Sequence, residues 1–129
     1  LESQIAGALF AIPGIKGVEF GSGFSGARMC GSCHNDQFCI GKDGKVCTVT
    51  NNHGGILGGL ATGMPLIFRA AFKPTPSIGI KQKSIDLSTM KEVDLEITGR
   101  HDACIATRGI SCVESVVYII IADNILGGL

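Results

Sequence analysis

The sequence predicts an α+β fold in which an antiparallel sheet packs against helices. The chain opens on a helix-patterned segment and closes on a long apolar one. Between them lie short β-branched or alternating runs that mostly follow one another by short connections. A length of 129 residues fits a single domain able to bury its own core.

Ser3 is the expected cap of the first helix, whose apolar residues Ile5, Ala8, Leu9 and Ile12 recur at helical spacing until Pro13-Gly14 stops it. A short strand, Val18-Glu19-Phe20, follows between glycines. From Gly21 to Lys45 no period is sustained, which predicts a long loop with one short element at most. Val46 to Thr50 alternates as a strand does, and Asn51 to Gly59 reads as a Gly-rich loop or a loop opening onto one helical turn. Leu66 to Phe72 is a strand closed by Lys73-Pro74-Thr75-Pro76-Ser77. Ile78 to Ile85 and Val93 to Thr98 would extend the meander. The last helix is expected from about Val113 to Leu126, apolar nearly all round and so sandwiched between other elements.

Composition narrows the function. Eleven basic residues balance eleven acidic ones, so no global field draws the chain to nucleic acid or an anionic membrane. One Tyr and no Trp leave few platforms for stacking bases. The longest apolar run, Ser115 to Ala122, is well short of a bilayer span and is expected to be buried. No secretory signal pattern is present, although the chain opens on LESQIAGALF without Met, which leaves room for a preceding segment. Six cysteines could pair, but Cys104 and Cys112 sit in apolar patterns typical of reduced core thiols.

Three motifs compete for attention. Cys30-Gly31-Ser32-Cys33-His34 has the C-x-x-C-H spacing of c-type haem attachment, yet a polar turn, Asn35-Asp36-Gln37, follows where an apolar haem wall is needed. Cys30, Cys33, Cys39 and Cys47 could ligate zinc, but only the first pair has the tight spacing of a structural site. Gly21-Ser22-Gly23-Phe24-Ser25-Gly26 is a literal G-x-G-x-x-G whose last glycine opens no apolar helix, so the βαβ unit that would hold a dinucleotide is missing.

Denser chemistry lies elsewhere. Gly54 to Gly59 lets backbone N–H groups approach a flat or anionic ligand, or simply forms a tight turn. Lys73 to Ser77 joins a cation to hydroxyls on a proline-fixed backbone, which suits a phosphate as well as it suits a strand stop. Arg100-His101-Asp102 sets a guanidinium, an imidazole and a carboxylate side by side, offering an anion fork and a proton acceptor.

In order along the chain, KGVEFGSGF, Gly31-Ser32 with Asn35-Asp36, NNHGGILGGLATGMPLIFRAAFKPTPSI and GRHDACIATRGISCVES resemble the C-terminal part of chorismate synthase. The resemblance covers essentially all of residues 1–129 and makes the C-x-x-C-H an accident of composition. It implies the FMN-binding C-terminal portion of the enzyme, itself part of a β-α-β sandwich, with the N-terminal portion absent. It further implies a lyase of the shikimate pathway of aromatic amino acid biosynthesis. That enzyme eliminates phosphate from 5-enolpyruvylshikimate 3-phosphate, 1,4-anti, to give chorismate. Reduced FMN is the implied cofactor; a cytoplasmic homotetramer is the implied assembly, with no metal, nucleic acid or membrane partner.

By position the resemblance gives Pro13, Gly14 and Gly58 to the flavin, Lys73, Pro74, Thr75, Pro76 and Ser77 to its phosphate and ribityl chain, Arg100 to flavin and substrate phosphate, and Asp102 to the neighbourhood of flavin N5 as the catalytic carboxylate. The family usually has proline at the place of Ala103, alanine at that of His53 and an aliphatic residue at that of Cys112. It also draws a Ser-His motif, a further histidine and several arginines from its N-terminal part, so the 129 residues alone are expected to be inactive and to self-associate. The rival reading is a non-catalytic flavin- or phosphate-binding module, or a structural remnant.

Overall fold

The computed structural model describes residues 1–101 and 103–127. The first helix, α1 (Glu2–Phe10), begins without a side-chain cap, so Ser3 lies inside it rather than capping it. Glu2 instead places a negative charge in the first turn, where the helix dipole favours it. Ile5 and Leu9, one turn apart, are completely buried. The N–H groups of Ala11 and Ile12 close the last turn onto Ala8 and Leu9 before Pro13-Gly14 redirects the chain.

Strand β1 (Ile15–Phe20) starts three residues before the expected Val18 and pairs antiparallel with the fifth strand that follows it, Phe68–Phe72. The register runs from Ile15 opposite Phe72 to Phe20 opposite Phe68, with an irregularity at Ile15/Gly17. The Phe20 and Phe68 rings meet tilted at 43°, with centroids 6.3 Å apart. Residues 21–45 are more structured than expected: a 3-10 helix (Gly23–Arg28), a one-turn α2 (Gly31–His34) and β2 (Phe38–Ile40) occupy them. Strand β2 forms a hairpin with β3 (Val46–Thr48), and β4 (Ile56–Leu57) forms another with β5 (Leu60–Ala61). Residues 51–59 therefore hold turns and a strand, with no helical turn.

With β6 (Phe68–Phe72) paired only to β1, the continuous meander gives way to a separate hairpin of β7 (Gln82–Asp86) and β8 (Lys91–Leu95). Lys81 and Lys83 both reach Asp94 across this hairpin, at 3.0 and 2.7 Å. In its turn, Asp86 accepts hydrogen bonds from the Ser88 hydroxyl at 2.6 Å and the Ser88 N–H at 2.8 Å. The Ser88 hydroxyl first, then its N–H and Thr89, lower the Asp86 pKa to about 2. A lowered folded value means the turn's support is complete above the ordinary carboxylate pKa and is lost as pH falls towards about 2. Ser88→Ala is expected to raise the Asp86 pKa towards the ordinary value, as followed by carboxyl NMR titration; an unchanged titration would refute the assignment.

Helix α3 (Ala106–Gly127) begins seven residues before the expected Val113. Glycine is a poor helix former, which hides the start, but Gly109 is where the ring of Phe72 packs: a Cβ there would stand 2.7 Å from Phe72 Cε1. Val117 joins Ile5 and Leu9 in the core, with Leu1, Ile12, Val18, Phe20, Phe68, Val113, Ile120 and Ile121 around them.

The expected sandwiching of the last helix does not occur within this chain. Only Gly109 and Val117 of α3 are buried, while Tyr118 is 68% and Leu126 70% exposed. Among the described residues, one layer packs against the helix and nothing covers its far side. By length and composition alone α3 is apolar and long enough to cross a membrane, beyond what the shorter run suggested. Cys104, before α3, and Cys112, on it, are expected in the core but are exposed.

Candidate functional site

Three hydrogen-bonded backbone meetings organise the polar residues. At the first, the N–H of Lys73, just beyond β6, donates to the carbonyl of Gly14 at 2.8 Å. This joins the Pro13-Gly14 turn to the Lys73–Ser77 segment. Gly14 (φ +94) also abuts Ile105, where a Cβ would come 2.6 Å from its Cδ1. At the second, the Thr75 hydroxyl donates to the carbonyl of Ala103 at 3.5 Å. The proline-braced segment, the turn after α1 and the approach to α3 thus lie together.

Between the proline-braced segment and the approach to α3 lies a cavity of about 630 Å³ lined by Pro74, Thr75, Ser77, Gly99, His101 and Ala103, together with residues 78–80; Pro13 and Gly14 do not line it. Its size suits a cofactor-sized ligand. Hydroxyls, an imidazole and backbone line it, and the lysine and arginine of the same segments, Lys73 and Arg100, are exposed beside it in sequence. Asp102, the expected catalytic carboxylate, lies outside the described residues. Pro76 is exposed and does not line the cavity. Gly58 stands apart from this group: it sits in the β4–β5 turn, whose Gly59 carbonyl is 3.4 Å from the nitrogen of Leu1, at the other end of α1 from Gly14.

The third meeting is centred on Asp36, whose role sequence reasoning missed. Its carboxylate side chain is only 4% exposed. It accepts from the Thr50 hydroxyl at 2.5 Å, the Asn52 N–H at 2.8 Å and the His53 N–H at 2.8 Å. Burial pushes its pKa up, but these hydrogen bonds outweigh burial and hold the carboxyl below the usual range. Asn51 braces the same turn, accepting from Gly55 N–H at 2.8 Å and donating to the Pro65 carbonyl at 2.9 Å. The three consecutive polar residues Thr50, Asn51 and Asn52 were the available signal: such a run before a double glycine needs a partner for its backbone.

His53 Nδ1 accepts from Gly55 N–H at 2.9 Å, leaving the proton of the neutral ring on Nε2. Nε2 is buried, has no hydrogen-bond partner and lies 3.6 Å from the Asp36 carboxylate.

The competing motifs have local occupations. His34 Nε2 is 2.8 Å from the Ser22 hydroxyl. Cys30 and Cys33 are exposed on and before α2, while Cys39 and Cys47 face each other on the β2–β3 hairpin. Among the described residues no three His, Cys, Asp or Glu side chains lie close enough to hold a metal ion.

The family model for chorismate synthase matches residues 1–126. The chorismate synthase of Thermococcus kodakarensis is 57% identical over 126 residues, which is 98% of this chain and 35% of that protein. That of Pyrococcus abyssi is 52% identical with the same coverage, and that of Methanosarcina barkeri 48% identical over 98% of this chain and 34% of its own. A crystal structure of chorismate synthase superposes with a TM-score of 0.56 at 41% identity, over 59% of this chain and 23% of that one. The chain spans about a third of the length of these curated relatives.

Proposed function

The chain belongs to the chorismate synthase family, and on that premise we propose that it is the C-terminal, flavin-binding portion of a phosphate-eliminating carbon–oxygen lyase. Its substrate would be 5-enolpyruvylshikimate 3-phosphate and its product chorismate, within the cytoplasm and in a homotetramer.

One observation supports the reading above others: Pro74, Thr75 and Ser77 on one side and Gly99, His101 and Ala103 on the other, far apart in sequence, line one cavity of about 630 Å³. The fit to reduced FMN is chemical. Thr75 and Ser77 offer hydroxyls to a ribityl chain or phosphate. Lys73 and Arg100 are the cations for that phosphate, Arg100 also serving the substrate phosphate through its planar fork. Helix α3 starts directly after this segment with no acidic residue in its first turn, so its N-terminal dipole adds to the attraction for an anion. The Gly14 carbonyl, after Pro13, holds the segment's first residue by accepting from the Lys73 N–H. Pro74 and Pro76 restrict the backbone so that little entropy is lost on binding.

When bound, the cofactor's contribution is electron density lent to the allylic system as phosphate departs. The protein's share is placement and charge. Arg100 would hold the departing phosphate, and the Asp102 carboxylate would accept a proton at the flavin N5 position. Gly58 takes no part in lining this cavity, so its family role would need a second surface. The relatives are much longer than this chain. The 129 residues alone therefore lack the family's N-terminal histidines and arginines, and are expected to bind flavin without turnover.

Lys73→Ala is expected to weaken FMN binding about ten-fold or more, the scale of one lost charge-assisted hydrogen bond. Flavin fluorescence titration reads it; unchanged affinity would remove Lys73 from the site. Mixing the chain with photoreduced FMN, substrate and the remainder of the family's polypeptide should then give chorismate. Flavin binding with no chorismate under any complement would favour the non-catalytic module.

A further inference from the structure

The β2–β3 hairpin carries one cysteine on each strand, and its register sets Cys39 directly opposite Cys47. Opposed residues project from the same face of a sheet. The N–H of Gly41 donates to Lys45 and that of Val49 to Gln37, two residues to either side of the pair. By the alternation of an antiparallel ladder, Cys39 and Cys47 are therefore a hydrogen-bonded pair, with Cα atoms typically about 5.5 Å apart. That lies within the roughly 4.4–6.8 Å that a disulfide spans. The sulfurs are already 3.2 Å apart, both thiols are free, and both side chains are half-buried rather than sealed in a core. Gly41 adds no side chain beside the Cys47 sulfur, where a Cβ would stand 3.3 Å away.

We propose that Cys39 and Cys47 are a reversible dithiol–disulfide pair that clamps this hairpin. The oxidant is a low-molecular-weight disulfide such as oxidised glutathione. One cysteine thiolate attacks it and releases one glutathione thiol; the other attacks the resulting mixed disulfide and releases the second. Two protein thiols become one S–S bond, two glutathiones are reduced, and the two thiol protons pass to them. Asp36 precedes β2, and the groups it binds, Thr50, Asn52 and His53, follow β3. The bridge therefore fastens together the two segments that this carboxylate ties. The inference is independent of the flavin reading.

Lys42 and Lys45 fall between the two cysteines, so trypsin cuts the hairpin loop and only the bridge can hold its halves together. Protein from the full reading frame is treated with oxidised glutathione, alkylated and digested without reductant. The expected product is a peptide pair linked through Cys39 and Cys47 that separates on reduction, persists in Cys30→Ser/Cys33→Ser and vanishes in Cys39→Ser. Recovery of Cys39 and Cys47 both alkylated overturns the proposal. So does a stable glutathione adduct on either, or a link from Cys47 to Cys30 or Cys33.

Discussion

Gly54→Ala is expected to unfold the chain or cost at least about 3 kcal/mol, the scale of a forced backbone shift in a packed interior. Gly54 has φ +67, and a Cβ there would lie 2.7 Å from both the Gly21 Cα and the Ile67 carbonyl oxygen. These neighbours are backbone, so no side chain can swing aside. Three further hydrogen bonds knit the same place: Gly21 N–H to Ile67, Ser22 N–H to Asn52 and Ile67 N–H to Gly54, at 2.8, 2.8 and 3.0 Å. The end of β1, the start of β6 and the turn at 51–55 therefore meet with no room for a methyl group. Urea unfolding measures the effect. A variant of unchanged midpoint would mean that the turn relaxes freely and that this contact does not organise the fold.

Asp36→Ala is expected to cost roughly 3 kcal/mol, because it strands the buried N–H groups of Asn52 and His53, each worth about 1–3 kcal/mol when left unsatisfied. Asp36→Asn keeps an acceptor and much of the volume, and should recover part of that loss. The pH dependence follows from the lowered pKa. A carboxyl whose folded value lies below its unfolded value binds fewer protons when folded. Its contribution is complete above the ordinary carboxylate pKa, which starts near 3.8, and disappears as pH falls through the folded value. Stability of the natural sequence should therefore drop over this acid range, and that of Asp36→Asn should drop less. Parallel acid profiles for the two proteins would show that Asp36 does not carry the effect.

The parts of the fold legible in the sequence were those whose pattern is local. Ile5 and Leu9 at helical spacing marked the buried face of α1, and the run ending at Phe72 marked β6. Helix α3 shows the limit. Its start was hidden because glycine at 109 is a poor helix former, although it makes room for the Phe72 ring. Its burial was misjudged because an all-round apolar pattern records that a helix meets partners but cannot say whether they belong to the same segment.

The site divides in the same way. Lys73–Ser77 and Arg100–Asp102 stood out by residue type, and the Thr75–Ala103 and Lys73–Gly14 hydrogen bonds bring the first of these segments together with Ala103 and the turn after α1. Asp36 escaped notice because a lone carboxylate in a polar turn looks solvated until the three donors from a distant turn are seen. Gly58 is given to the flavin by the family resemblance, which carries no distances, and the chain sets it at the far end of α1 from Gly14.

That placement makes α1 a ruler. The nine residues of Glu2–Phe10 make a rod about 13 Å long, with the turn that touches Leu1 at one end and the Pro13-Gly14 turn that holds Lys73 past the other. A single small molecule contacting both would have to bridge that rigid gap lengthwise, so binders sensitive to both ends should be sorted by their reach before their charge.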